Sequence, residues 1–202
     1  MKLRNNYLTG LAAIAAVFFV LMGCTHIHTM KKDDISVLQT GSPLKGVAPK
    51  TFAFKEFRDA RGKGMDPYLV LQLDSYNLWK LEQPATAFVA MAIRRELERN
   101  GHTCITYSEQ SKSDFIVEGS VYKYWILYDP GLVLVKFHAN IGAKITVSPA
   151  SAENRVLTKT YEGDATTRRL PGERWKTILN QALLMMLKEF STDPDLVAFL
   201  EK

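Results

Sequence analysis

From Val133 to Val147 every odd position is apolar, through Val135, Phe137, Ala139, Ile141, Ala143 and Ile145, while Lys136, His138, Asn140, Lys144 and Thr146 take even positions. A period of two held this long cannot sit on a helix. It fits a strand with one face on a core and the other in water, the pattern of an antiparallel sheet. The stretch before it behaves the same way: Phe115, Val117, Gly119 and Val121 alternate with Ile116, Glu118, Ser120 and Tyr122, continue through Tyr124 and Trp125, and run into the turn tripeptide Asp129-Pro130-Gly131. Beyond a loop of turn residues at Ser148 to Asn154, Arg155 to Gly163 alternates again through Val156, Thr158 and Thr160. Three consecutive strands of this kind make a meander.

A meander with one apolar face needs a cover, and two segments have the spacing to supply it. Ala85 to Arg99, entered through Pro84, places Val89, Ile93 and Leu97 on one helical stripe and closes at Asn100-Gly101. The cations Arg94, Arg95 and Arg99 fall toward its C-terminal end, where the helix dipole suits them, and read as a solvated face. Pro171-Gly172-Glu173 opens a second helix with Trp175, Ile178, Leu179, Ala182, Leu183, Met186, Leu187 and Phe190 at three- and four-residue spacing. Met185-Met186 reads as core packing, and Asp193-Pro194 restarts a short helix through Leu196, Phe199 and Leu200. Shorter strands are expected at Lys50 to Phe57, Tyr68 to Leu73 and Cys104 to Tyr107. The expected class is therefore α+β: a mainly antiparallel sheet with a C-terminal strand meander and two main helices packed on one face.

The N-terminus follows different rules. Lys2 and Arg4 precede a nearly charge-free run from Tyr7 to Gly23, a basic segment and apolar stretch of signal-peptide proportions, too short for a comfortable transmembrane span. Leu21-Met22-Gly23-Cys24 resembles the lipoprotein-processing motif, with Met22 where a smaller residue is usual. The resemblance implies diacylglycerol on the Cys24 sulfur, cleavage between Gly23 and Cys24, and acylation of the new amine, enough acyl chain for stable anchoring to membrane lipid. Thr25 rather than Asp after the cysteine favours, by the same analogy, an outer-membrane location facing the periplasm. The expected division is a signal peptide at 1–23, a lipidated N-terminus and flexible tether at 24–49, and one domain at 50–202. The tether expectation rests on the lack of periodicity and on Gly41, Ser42, Pro43, Gly46 and Pro49.

With 202 residues, 47% apolar and 23% charged, the chain has ordinary globular composition, and the +5 net charge falls when Lys2 and Arg4 leave with the signal, giving no case for nucleic acid. If Cys24 is acylated, Cys104 has no partner within the chain; it is either buried or available to pair between chains. His26 and His28 lack the third ligand of a stable metal site, and no metal or cofactor is expected. His138 lies on the polar side of its strand, exposed or at an edge. The basic loop Arg58-Asp59-Ala60-Arg61-Gly62-Lys63-Gly64 leads into a strand rather than a helix, so it reads as a solvated hairpin or Ω-loop and not as a phosphate cradle. No zinc-protease, nucleophile-elbow, Walker or Rossmann motif is present, and Asp59, Asp74 and Glu118 have no spacing that selects them as paired carboxylates. No catalytic residue is nominated and an enzyme is not expected.

Several of these features in this order resemble the YajG family of bacterial lipoproteins: Leu21-Met22-Gly23-Cys24, Asp59-Ala60-Arg61, Arg99-Asn100-Gly101-His102, Asp114 to Val121, and the helix from Trp175 to Phe190 followed by Asp193 to Leu200. The architecture is also similar to the lipoprotein subunit of lipopolysaccharide assembly and to auxiliary lipoproteins of envelope lipid-transport systems. The resemblance implies a membrane-anchored, non-catalytic accessory protein that binds an envelope protein or lipid. The alternative is a lipid or glycolipid carrier or assembly factor, using the helix–sheet cleft or the aromatic group Tyr122, Tyr124, Trp125 and Tyr128; a third class is a cell-wall binder or hydrolase.

Overall fold

The long alternations become the spine of the molecule. In the computed structural model, which describes residues 26–35, 42–72, 77–110, 112–130, 135–151, 155–169 and 175–202, β7 (Phe115–Pro130) pairs antiparallel with β8 (Val135–Pro149), and β8 with β9 (Leu157–Arg169). The inward residues of β8 from Phe137 to Val147 are at most 3% exposed. Asp129 and Pro130 still belong to β7, while Gly131 of the expected turn lies outside the described residues.

The N-terminal half of the chain extends this sheet in the other direction, with parallel pairing. β2 (Thr51–Phe54) lies between β6 (Thr103–Thr106) and the start of β7, parallel to both, and β3 (Arg58–Asp59) pairs parallel with β7 further along. The sheet order is β6-β2-β7-β8-β9. The class is α+β with a C-terminal meander; the parallel half was not expected, because the crossover through α1 (Ala85–Arg99) that permits it leaves no mark in strand alternation.

Both main helices lie on one face. α2 (Trp175–Thr192) packs on β8 and β9, and α1 lies beside it on β6 and β7. Contact between α2 and β9 is close: a Cβ on Gly163 would sit 2.0 Å from the Ala182 carbonyl oxygen. α1 ends as read, with Asn100 as C-cap, Gly101 at φ 92°, and Gly101 and His102 N–H groups returning to the Glu98 and Leu97 carbonyls. Asp193 caps α3 (Pro194–Leu200) by accepting from the Asp195 N–H.

Helices alone cannot cover strands of this length. α2 has 18 residues, about 27 Å, whereas the 16 residues of β7 extend about 50 Å. The remainder is covered by a second sheet, β1-β5-β4, built from β1 (His26–Met30), β5 (Asn77–Leu81) and β4 (Leu69–Gln72). Trp79 of β5 stacks on Trp175 at 5.2 Å and meets Phe137 at 5.6 Å, closing the seam between small sheet, helix and large sheet.

This sheet corrects the expectation of a flexible tether over 24–49 for its described parts, 26–35 and 42–49. His26–Met30 is a strand parallel to β5, and single 3-10 turns follow at Lys32–Asp34 and Pro43–Gly46. Met30, Ile35, Leu44 and Val47 are all buried in the common core. Pro43 and Gly46 punctuate a packed segment, whose apolar residues are too widely spaced to show a period.

Candidate binding surface

One face of the meander carries α1, α2 and the small sheet; the outer face carries none of them. On it, side chains from neighbouring strands interlock. The Tyr122 ring lies over Gly142, where a Cβ would be 2.8 Å from Cζ, and the Tyr122 hydroxyl donates to Glu162 at 2.6 Å. Lys123 Nζ donates to both Glu162 oxygens at 2.9 Å. The Tyr122 hydroxyl and then Lys123 hold the Glu162 carboxyl below its ordinary range, while burial and Glu162 push the Tyr122 phenol up. His138 Nδ1 lies 2.5 Å from Thr166 Oγ1, its Nε2 lies 3.0 Å from Asn140, and Asn140 donates to Asp164. Further along, Thr146 meets Thr158 at 3.1 Å and Lys55 pairs with Glu118. A shallow depression of about 340 Å³ beside these is lined by Lys55, Arg58, Glu118, Ser120, Lys144 and Thr146.

His138, Thr166 and Asp164 together invite comparison with a nucleophile–base–acid set. The imidazole and the Asp164 carboxylate are 4.0 Å apart, beyond hydrogen-bond reach, with Asn140 bridging them. β8 is hydrogen-bonded along both edges, so its amides offer no oxyanion donors. The arrangement is a cross-strand polar ladder suited to recognition.

The four aromatic residues expected to form one group do not. A register shift between Val121 and Lys123 inserts Tyr122 as a bulge and reverses the parity of β7 beyond it. Tyr124 therefore turns inward, fully buried near Phe88, and cannot meet a ligand. Trp125 is half-buried on the outer face with Tyr122, next to Leu127 at 56% exposure. Tyr128 pairs with Phe137 in the ladder, and its side chain lies outside the described residues. Gly23 and Cys24 also lie outside them. Glu162 lies inside the expected strand but was not singled out by the sequence reading, and Asp164 and Thr166 extend the alternation of β9 beyond the Gly163 where it was expected to stop.

Other expectations are sorted by the fold. Arg61, expected in a solvated loop, has a fully buried side chain bonded to Asp59 at 2.8 Å and to the Leu69 and Pro67 carbonyls at 3.0 and 2.9 Å. Asp59 is thus a structural partner, Glu118 pairs with Lys55, and Asp74 lies outside the described residues. Arg94 places its guanidinium 4.6 Å over the Phe54 ring, so the basic stripe of α1 is not wholly solvated. Met186 is core and Met185 is 53% exposed. Cys104 is half-buried, its thiol pushed up to about 12 by burial. Among the described residues no cluster of three metal-ligating side chains occurs, and no helix is long and apolar enough to cross a membrane.

No family model and no curated protein matches the sequence. Solved structures do. Protein XCC0632 from Xanthomonas campestris, described as of family model DUF330, superposes with TM-score 0.55 at 18% identity, covering 82% of this chain and 92% of that one, and the two share a fold. A PelC dodecamer from Paraburkholderia phytofirmans gives TM-score 0.43 at 12% identity, covering 78% of this chain and 99% of the other. Lipoprotein GNA1162 from Neisseria meningitidis gives 0.30 at 10% identity, covering 67% and 96%.

Proposed function

We propose that the chain is a lipid-anchored accessory protein of the bacterial cell envelope, facing the periplasm from the outer membrane, that holds another envelope component on the outer face of its meander without catalysis. The supporting observation is a face of interlocked polar and aromatic side chains on which, among the described residues, no helix and no second sheet packs, on a domain whose first described strand starts at His26, two residues after Cys24. A face held by cross-strand hydrogen bonds is pre-organised, which reduces the ordering cost of binding. Kinship with the YajG family belongs to this proposal. It rests on the processing motif, on the Asp59–Arg61 clasp, and on the helix end at Asn100-Gly101-His102.

The carrier alternative has less support than its residues suggested before the fold was known. Helix–sheet packing is tight where α2 meets Gly163, and the helix–sheet space that remains is a depression of about 430 Å³ between α1 and the start of the sheet, lined by Phe54, Phe57, Ala90, Met91 and the Arg94 cation. Its aromatic group is divided between two faces.

The test is a mild-detergent pull-down of the full-length lipidated protein from its native membrane, read by proteomics and lipidomics. Cys24→Ala and the outer-face variant Trp125→Asp serve as comparisons. A discrete protein retained by wild type and lost with Trp125→Asp supports the proposal. Lipid recovered without protein promotes the carrier reading, and turnover of an envelope substrate by the purified domain sinks the non-catalytic one.

A further inference from the structure

The depression near Thr146 on the outer face gathers cations from three strands. Arg58 of β3 is in parallel register with Ser120 of β7, and Ser120 is in antiparallel register with Lys144 of β8, so one row across the sheet reads Arg58, Ser120, Lys144. Paired residues share a face, and Lys144 is outward because Ala143 and Ile145 on either side of it are buried. All three therefore stand on the outer face, around a volume of about 340 Å³. Neighbouring strands are about 4.8 Å apart, which puts the Cα atoms of the two cations roughly 10 Å from each other with the serine between them. A guanidinium and an ammonium on stems of this length can both reach a group seated over Ser120.

Pairing within this depression is incomplete, unlike that of the ladder beside it. Lys55 is taken by Glu118 and lies 4.9 Å over the Tyr107 ring, and the Thr146 hydroxyl meets Thr158. The side chains of Arg58, Ser120 and Lys144 have no partner among the described residues. The remaining acid is Glu56, which lines both this depression and the one beside α1 and so stands on the rim between them. Two unpaired cations on either side of a free hydroxyl repel each other until an anion sits between them. A phosphate monoester matches the set better than a carboxylate. Its charge of about −1.5 to −2 answers both cations, and its three terminal oxygens accept from the Arg58 fork, the Lys144 ammonium and the Ser120 hydroxyl at once, whereas a carboxylate has one charge and two oxygens.

We infer that the row Arg58, Ser120, Lys144 is a binding site for a phosphate monoester, either a free phosphate ester or the head of a phosphorylated lipid. The site rests on the reading of the outer face as the binding face and adds the chemistry of what is held there. Lys144 is four residues along β8 from Asn140, the partner of Trp125, a separation of about 14 Å, so the two parts of the face can be tested apart.

The experiment is equilibrium dialysis of radiolabelled phenyl phosphate, a dianionic monoester, against the full-length lipidated protein in neutral detergent at low salt. Methyl phenyl phosphate, a monoanionic diester with the same body, is the comparison. The expected result is saturable binding of the monoester, at least about five-fold tighter than that of the diester. Arg58→Gln and Lys144→Gln should each weaken it at least about five-fold, and Glu56→Gln should tighten it about two-fold by removing a repelling charge. Lys136→Gln, which makes the same change of net charge near the other end of β8, should leave it unchanged. Arg58 and Lys144 are exposed, so these variants keep the fold, which an unchanged urea midpoint checks. Phosphatidic acid added to the micelles distinguishes the sources: competition with phenyl phosphate identifies a lipid head, and lack of competition a soluble ester. Equal affinity for the two esters, or binding that survives both Gln substitutions, overturns the site. If the monoester does not bind while the pull-down partner still depends on Trp125, the phosphate site alone has failed. A partner indifferent to Trp125→Asp as well means that the outer-face reading has failed with it.

Discussion

Arg61 satisfies its guanidinium with the Asp59 carboxylate and with carbonyls of Asp66, Pro67, Leu69 and Tyr124. Asp59 is held below its ordinary range chiefly by the Arg61 hydrogen bond, against desolvation. Arg61→Met should lower unfolding free energy by about 3–5 kcal/mol in urea titrations, because it strands a carboxylate and several carbonyls; Arg61→Lys should recover less than half, since an ammonium cannot make the fork. Gly163 tests packing instead. Gly163→Ala places a methyl against the Ala182 carbonyl and should cost about 1–3 kcal/mol, whereas Gly46→Ala, where a Cβ meets nothing within 4 Å, should stay within about 0.5 kcal/mol of wild type. His102 adds a pH dependence. Its Nδ1 accepts from the Lys50 N–H at 3.3 Å, and burial, reinforced by the Lys50 charge and opposed by a Leu44 backbone hydrogen bond, holds the imidazole below its ordinary range. Below pH about 6.5 the unfolded chain takes up a proton that the folded chain resists. This contribution to stability is therefore complete above that pH and is lost as pH falls toward the folded-state pKa. Buried Glu96, raised by desolvation, has the opposite sign. The reading is thus the difference between wild type and His102→Gln: the wild type should lose more stability than the variant between pH 7 and 5.5, and parallel curves would refute it.

Elements with local signals were readable, and those depending on distant partners were not. α1 has the bounds expected because both ends carry local chemistry, Pro84 at entry and Asn100-Gly101 at exit. The meander was legible because one buried face imposes a period of two over long strands. β1 and β5 were missed: each has only five residues, and they pair with each other across about fifty positions. The aromatic site failed for a related reason. A one-residue bulge at Tyr122 exchanges the faces of everything after it, and the trace in the sequence is slight: the buried positions pass from Val117 and Val121 to Tyr124 and Ile126. The consequence for β1 can be measured. Met30 is fully buried and its carbonyl accepts from Glu82 N–H at 2.8 Å. Met30→Asp should expose the amides of Lys80 to Glu82 to hydrogen exchange while those of Ile141 to Val147 keep their protection. Unchanged exchange at Glu82 would mean that β1 adds little to the domain.

At the scale of the whole molecule, the two sheets belong to one core. Buried side chains form a single cluster from Met30 to Leu200, and the small sheet occupies the part of β7 and β8 that α2 is too short to reach. The joint is aromatic: Trp79 stacks on Trp175, with Phe137 beneath. Removing the small sheet would take Trp79 off Phe137 and Trp175 and open that part of the core to water, so its loss and that of the large sheet should be coupled. The Cys24→Ala chain, free of lipid, should therefore unfold in one cooperative step, with the same urea midpoint by tryptophan fluorescence of a Trp125→Phe background, which reports the Trp79–Trp175 stack, and by far-UV circular dichroism, which reports the strands and helices. Trp79→Ala should move both midpoints together, by about 3–5 kcal/mol in unfolding free energy. A fluorescence transition that precedes the dichroism would show the small sheet leaving first. β1, the described strand nearest in sequence to the proposed lipidation site, would then be a detachable piece of the domain.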